Sequence, residues 1–134
     1  MKEYTLQQDL HLMCVTAQSF PEGIGAAFDS LTGMLPDTKD RTFFGISTPV
    51  KEGGMLYKAA VLQTSEGESE QYACDTFILP KGKYLTETLK DWRKQEDMIG
   101  KTFRKMGDAR PDAFPPIVEW YKGEDVMCML SLGT

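Results

Sequence analysis
A strand, a helix and two further strands occur in that order twice along this chain, about 70 residues apart, and this duplication limits the fold more than any other feature. In the first unit, Leu10 to Ala17 reads as a strand, and Ser19-Phe20-Pro21-Glu22 supplies helix-start chemistry, with Pro near the first turn and an acid at the positive end of the dipole. Ile24, Ala27, Phe28, Leu31 and Leu35 then form an apolar stripe at helical spacing, which Pro36 ends. Two strands, Thr42 to Thr48 and Leu56 to Gln63, are joined through a Gly-Gly turn signal. The polar, acidic stretch Thr64 to Gln71 reads as a linker.

The second unit opens with Ala73 to Leu79, which Pro80-Lys81-Gly82 bends and Lys83 to Thr88 continues. The pattern predicts a helix from near Asp91, with Leu89, Trp92, Ile99, Phe103 and Met106 on its apolar side and Gly107 as its stop. A loop from Asp108 to Phe114 leads to a last hairpin that turns at Lys122-Gly123-Glu124-Asp125. Two such units combine their strands most simply into one antiparallel sheet with both helices on one face, an α+β fold. One domain over residues 1–134 is expected, with related units at about 8–64 and 72–133.

Within the last hairpin, Ile117, Glu119 and Tyr121 share one face of a strand, while Val118 and Trp120 share the other. A carboxylate among apolar and aromatic neighbours must reach solvent, meet a cation, shift its pKa or await a ligand, because burying an unpaired charge costs roughly several kcal/mol. With the two hairpins superposed, Gly45 falls roughly opposite Glu119, where the missing side chain could leave a cavity; the alternative is that Gly45 marks only a bulge. Candidate walls for a site are Trp92, Tyr57, Tyr84 and Tyr121, whose polar atoms suit a partly open surface, whereas Phe28 and Phe103 on the helix stripes read as core.

Composition narrows the function classes. Apolar residues make up 41% and charged residues 26%, as in globular proteins, and no apolar run approaches the ~20 residues of a membrane span. Fifteen Lys and Arg against twenty Asp and Glu give a net charge of −5, which argues against nucleic acid and favours cationic ligands. No secretory signal is visible, so a cytoplasmic protein is expected. Cys14, Cys74 and Cys128 read as buried thiols, not a disulfide framework. The single histidine, His11, with Cys14 supplies at most two ligands, so neither a metal nor a cofactor is expected. Gly23-Ile24-Gly25-Ala26-Ala27-Phe28 lacks the third glycine of a dinucleotide loop. The Lys and Arg residues between Lys90 and Lys105 are interleaved with acids and read as a solvated face. Exposed sheet edges would allow a homodimer.

Three segments, FFGIST, ILPKGKYL and above all PPIVEWYKGEDVMCMLSL, give the chain a likeness over almost its whole length. It resembles the GyrI-like family, small-molecule-binding domains also found as the effector-binding part of multidrug-responsive bacterial transcription activators. The pattern Pro116, Ile117, Val118, Glu119, Trp120 and Tyr121 is its most specific piece. The resemblance implies that Glu119 lies on the floor of a ligand cleft between two helices and the sheet, facing cationic aromatic compounds. No DNA-reading segment precedes the domain, so a stand-alone sensor or sequestering module is expected. Ala60 stands where many members have Gly, which would narrow the cleft. Two alternatives come with the resemblance: a hydrolase of reactive small molecules with Glu119 as general base, and a protein-binding module that inhibits or protects an enzyme such as DNA gyrase.

Overall fold
The computed structural model describes residues 1–133. Eight strands form a single antiparallel sheet: β1 (Lys2–Leu6), β2 (Leu10–Thr16), β3 (Phe43–Pro49), β4 (Met55–Leu62), β5 (Asp75–Leu79), β6 (Gly82–Leu89), β7 (Phe114–Lys122) and β8 (Asp125–Gly133). Two long helices, α1 (Ile24–Met34) and α3 (Met98–Ala109), lie on one face, and a single turn, α2 (Glu68–Gln71), follows β4. None of the helices is long and apolar enough to cross a membrane among the described residues.

The strand order β1-β6-β8-β7-β3-β4-β2-β5 reads alike from either end, with β6, β8 and β7 mirroring β2, β4 and β3. The seam of the mirror is the β3–β7 pair, where Gly45 lies directly across from Glu119. Each outer edge belongs to the opposite unit: β1 precedes β2 in the chain yet pairs with β6, and β5 precedes β6 yet pairs with β2. The stretch 73–88 is therefore two strands in opposite halves of the sheet, β5 at one edge and β6 second from the other, not one bent strand. Pro80 has no N–H to offer a ladder, the Lys81 N–H donates to Asp9 Oδ1 at 2.8 Å, and Gly82 takes a φ of 140° that suits glycine. The edge strand β1 escapes sequence reading because it is short and mostly exposed, with only Leu6 fully buried.

Alternation along the strands sends apolar residues to both faces, and each face has its own core. On the face away from the helices, Leu12, Phe44, Ile46, Val118 and Met129 pack together, joined by Leu6 of β1 and Leu79 of β5. Those two leucines come from opposite ends of the strand order. They share a cluster because the sheet curls, which fits the right-handed twist that strands accumulate. On the other face, Ala27, Leu31 and Leu35 of the α1 stripe bury against Met13, Ala59 and Val61, while Met106 of α3 buries against Leu85, Val126, Cys128 and Leu130. Leu31 and Met106 are wholly buried, each contributing roughly 1.5–3 kcal/mol. The helices thus cover the two flanks of the sheet and leave its β3–β7 centre open on that side.

Helix α3 starts later than the apolar spacing predicts. Asp91 adopts a left-handed φ of 50°, and a 3-10 turn, Trp92–Lys94, intervenes before Met98. Hydrogen bonds from the Asp91 N–H to the Asp125 side-chain Oδ1 and from the Trp92 N–H to the Glu124 carbonyl tie this turn to the β7–β8 hairpin. Gly107 lies inside the helix, which closes after Ala109 with the Arg110 N–H on the Met106 carbonyl. Cys14 and Cys128 are buried and Cys74 half-buried, all three free.

The acidic stretch 64–71 is not a linker. Glu68 is buried and takes both guanidinium nitrogens of Arg41 at 2.9 and 2.6 Å, and it also accepts from the Thr64 N–H and hydroxyl. The Arg41 pairing holds its carboxyl down at about 2. Because that folded value lies below the ordinary one, the stabilisation is present above the usual glutamate range and is lost as pH falls toward 2. Glu68→Gln, which keeps the shape but not the charge, is expected to destabilise the domain by about 1–3 kcal/mol at pH 7 in urea unfolding, with the gap to the parent closing below about pH 3.

Candidate functional site
The uncovered seam forms the floor of a cleft of about 1100 Å³, walled by α1 on one side and α3 on the other. Ile24 and Phe28 line it from the first helix, and Ile99 and Phe103 from the second. Ser47, Tyr57, Ile117, Glu119 and Tyr121 line it from the strands, because the period of two turns alternate residues of β3, β4 and β7 toward the helices. Trp92 enters from the 3-10 turn, which is what the late start of α3 achieves for the site.

Glu119 is the centre of this floor. Its Oε1 accepts hydrogen bonds from the Tyr57 hydroxyl at 2.8 Å and from the Tyr121 hydroxyl at 2.5 Å. Oε2 accepts none, and no Lys or Arg forms a salt bridge with the carboxylate among the described residues. Burial pushes the carboxyl above its usual range, and the two tyrosine donors pull it part of the way back. Both phenols are in turn held well above their ordinary range, first by burial and then by the neighbouring carboxylate, so they remain protonated donors. Cys128, across from Glu119 on β8, is pushed up to about 12 by burial and by the same charge.

Gly45 makes this arrangement possible in a way the sequence does not suggest. It does not leave a cavity: Tyr57, from β4, reaches across β3 above Gly45 to bond Glu119 on β7. A methyl at Gly45 would collide with the Tyr57 hydroxyl and with Glu119 Oε1. The glycine is the gap through which a side-chain hydrogen bond spans an intervening strand.

Aromatic rings frame the carboxylate. Phe28 meets Tyr57 and Tyr121 edge-on at 6.2 and 6.0 Å, and Trp92 lies against Tyr121 at 5.1 Å. The buried Trp92 Nε1 has no hydrogen-bond partner. Arg93 stacks over Trp92 at 5.0 Å and also lines the cleft, as does Arg41, which is committed to Glu68.

Four of the five sequence candidates, Glu119, Tyr121, Tyr57 and Trp92, come together here. Tyr84 does not: it is buried in the core on the opposite face of the sheet, with its hydroxyl on the Pro80 carbonyl at 2.6 Å. Parity decides this, since β6 turns Leu85 toward the helices and Tyr84 away from them. Ala60 is also in that opposite core, so it does not narrow the cleft. Phe28 and Phe103, read as core, do pack half-buried against the two helix-side cores, and they line the cleft as well. Arg93, read as part of a solvated face, borders it too. Sequence reading missed Ile24, Gly25, Ile99 and Gly100, although a signal was present: Ile-Gly-x-x-Phe occurs at 24–28 and again at 99–103. No group of three potential metal ligands converges among the described residues.

No protein-family model and no curated protein matches the sequence. Solved structures share the fold. An integron cassette protein from the mobile metagenome of Vibrio cholerae superposes with a TM-score of 0.69 at 15% identity, over 97% of this chain and 94% of that one. The protein SAV2435, in a structure bound to tetraphenylphosphonium, superposes with a TM-score of 0.65 at 15% identity, over 98% and 94% of the two chains. A hydrolase from Listeria innocua follows the same fold with a TM-score of 0.52 at 7% identity, over 96% and 88%. At these identities the likeness establishes a common fold.

Gly45→Ala is expected to destabilise the domain by about 1–3 kcal/mol in denaturant unfolding, because the added methyl must displace Tyr57 or Glu119 from their hydrogen bond. An unchanged unfolding midpoint would show that the Tyr57 bridge is not held against β3.

Proposed function
We propose that this chain is a small-molecule-binding module of the GyrI-like kind, a single domain that captures a hydrophobic, aromatic cation with Glu119 as its counter-ion. The observation that carries the reading is a half-buried carboxylate without a protein cation, oriented by Tyr57 and Tyr121 on the floor of an open, aromatic-walled cleft. Such a carboxylate is held at a cost in free energy that a bound cation offsets. The volume suits a drug-sized molecule. Trp92, Tyr57, Tyr121 and Phe28 offer faces and edges for dispersion and cation–π attraction, worth roughly 0.5–2 kcal/mol per good contact. That the structure of a protein of the same fold is bound to tetraphenylphosphonium supports the choice of probe. In this role the module acts as a sensor or as a sequestering protein in the cytoplasm.

The site bears on a second reading, in which Glu119 acts as a general base in hydrolysis. Burial raises its proton affinity, and Oε2 is left without a protein donor. The two readings differ in what Glu119→Gln removes: affinity in the first, turnover of a bound electrophile in the second.

Titration calorimetry with tetraphenylphosphonium is expected to show saturable binding that Glu119→Gln weakens about tenfold or more, equivalent to ~1.4 kcal/mol. Affinity of the parent protein should fall with acidification at a higher pH than an ordinary glutamate would give, and that dependence should vanish in the variant. Equal binding by the two proteins would refute the counter-ion role. In the absence of ligand the sign reverses. A carboxyl whose folded-state pKa is raised stabilises below the ordinary glutamate value and loses that contribution as pH rises through the folded pKa. Glu119→Gln should therefore melt a few degrees above the parent at pH 7–8, the shift that about 1 kcal/mol produces in a domain of this size, and the difference should shrink on acidification.

A further inference from the structure
The Ile-Gly-x-x-Phe repeat spans 24–28 on α1 and 99–103 on α3, 75 residues apart. Its two copies are treated alike by the fold. In each, the residue before Phe, Ala27 or Thr102, is buried toward the sheet, Ile and Phe are half-buried, and Gly is exposed. One turn further on, Leu31 and Met106 are both fully buried. Ile24, Gly25 and Phe28 and their counterparts Ile99, Gly100 and Phe103 all line the same cleft. Because α1 packs beside β4 and β2 while α3 packs beside β8 and β6, the two triads face the β3–β7 seam from its two sides. The walls are matched, while the floor is not: it carries one carboxylate, Glu119, with Gly45 as its cross-strand neighbour.

The glycines have no structural need of their own. Neither has a positive φ, and a Cβ at either position would meet nothing within 4 Å. Glycine inside a helix costs about 1 kcal/mol relative to alanine. What each does is leave a gap in the side-chain lining of the cleft, beside an Ile and a Phe that also line it, a slot where a ligand can approach the helix backbone. Gly33 and Gly107 also lie in the two helices with open surroundings, but neither lines the cleft, and they do not correspond at the 75-residue spacing.

We infer that the cleft is shaped for a two-armed cation: one positive centre over Glu119 and two apolar or aromatic arms, one in the Gly25 slot of α1 and the other in the Gly100 slot of α3. This rests on the counter-ion reading of Glu119 and adds to it the shape of the ligand and the two residues that select it. A one-armed cation occupies either slot and leaves the other empty.

The test compares benzyltrimethylammonium, with one aromatic arm, against dibenzyldimethylammonium, with two, by calorimetry on the intact chain. The two-armed ion is expected to bind about tenfold more tightly, since its second ring is also removed from water. Gly25→Leu and Gly100→Leu each fill one slot, and each should lower affinity for dibenzyldimethylammonium to about that of the one-armed ion. Benzyltrimethylammonium should lose no more than about twofold in either single variant and its binding in the double variant, because each ring can use the remaining slot. Gly33→Ala and Gly107→Ala, as controls, should leave both affinities unchanged. Thermal melts of Gly25→Ala and Gly100→Ala should lie above the parent, verifying that the helices remain folded and that the glycines are kept at a cost to stability. Equal binding of the two ammonium ions, or one glycine variant abolishing binding of both while the other changes nothing, overturns the inference. If tetraphenylphosphonium binds through Glu119 while the two ammonium ions bind equally, the two-armed shape fails and the counter-ion reading stands; if none of the three cations binds, both fall.

Discussion
The site depends on one hydrogen bond that crosses a strand. The Tyr57 hydroxyl leaves β4, passes over β3 and reaches Glu119 on β7, and it can do so only because Gly45 has no side chain in the way. With Tyr121 donating to the same oxygen from two residues along β7, the carboxylate is oriented from two directions before any ligand arrives. Preorganisation of this kind lowers the ordering cost of binding. It also shapes the electrostatics of the floor, because burial raises the carboxyl above its ordinary range and the two phenol donors oppose that rise.

Around that bond the fold is organised as a frame with an empty middle. The helices bury their apolar stripes on the flanks of the sheet, at Ala59 and Val61 on one side and at Val126 and Cys128 on the other. Stability is thus gained away from the seam, and the opposite face of the curled sheet supplies a second core of its own. Several features of the cleft oppose stability: a carboxylate without a cation, an orphaned indole N–H at Trp92, and two helix glycines that nothing in the protein requires. All of these groups line one cavity, so the local cost to stability is concentrated there.

Much of this was legible in the chain itself. The helix stripe of α1, the β3–β4 hairpin and the β7–β8 hairpin follow from apolar period and turn residues, and the duplicated element order points to a single sheet with both helices on one face. The odd charge at Glu119 stood out, and aligning the two hairpins brought Gly45 roughly opposite it, a pairing that the β3–β7 register makes exact. Other features depended on long-range pairing that local pattern does not encode. Strand β1 has little apolar signal because it is an exposed edge, and the separation of β5 from β6 depends on which strands they pair with. The acidic segment around Glu68 is ordered by Arg41, 27 residues earlier in the chain.

By itself the sequence determined the periodicities, and through them the α+β class, the two-unit order and the presence of a carboxylate that needed a reason. It could not determine which side of each strand would meet the helices. Tyr84 and Tyr57 look equivalent in sequence, both tyrosines in strands, yet one is sealed in the opposite core and the other bonds Glu119. Only the tertiary structure decides between them, because a strand's two faces differ by a single residue of register, and that register is set by partners tens of residues away.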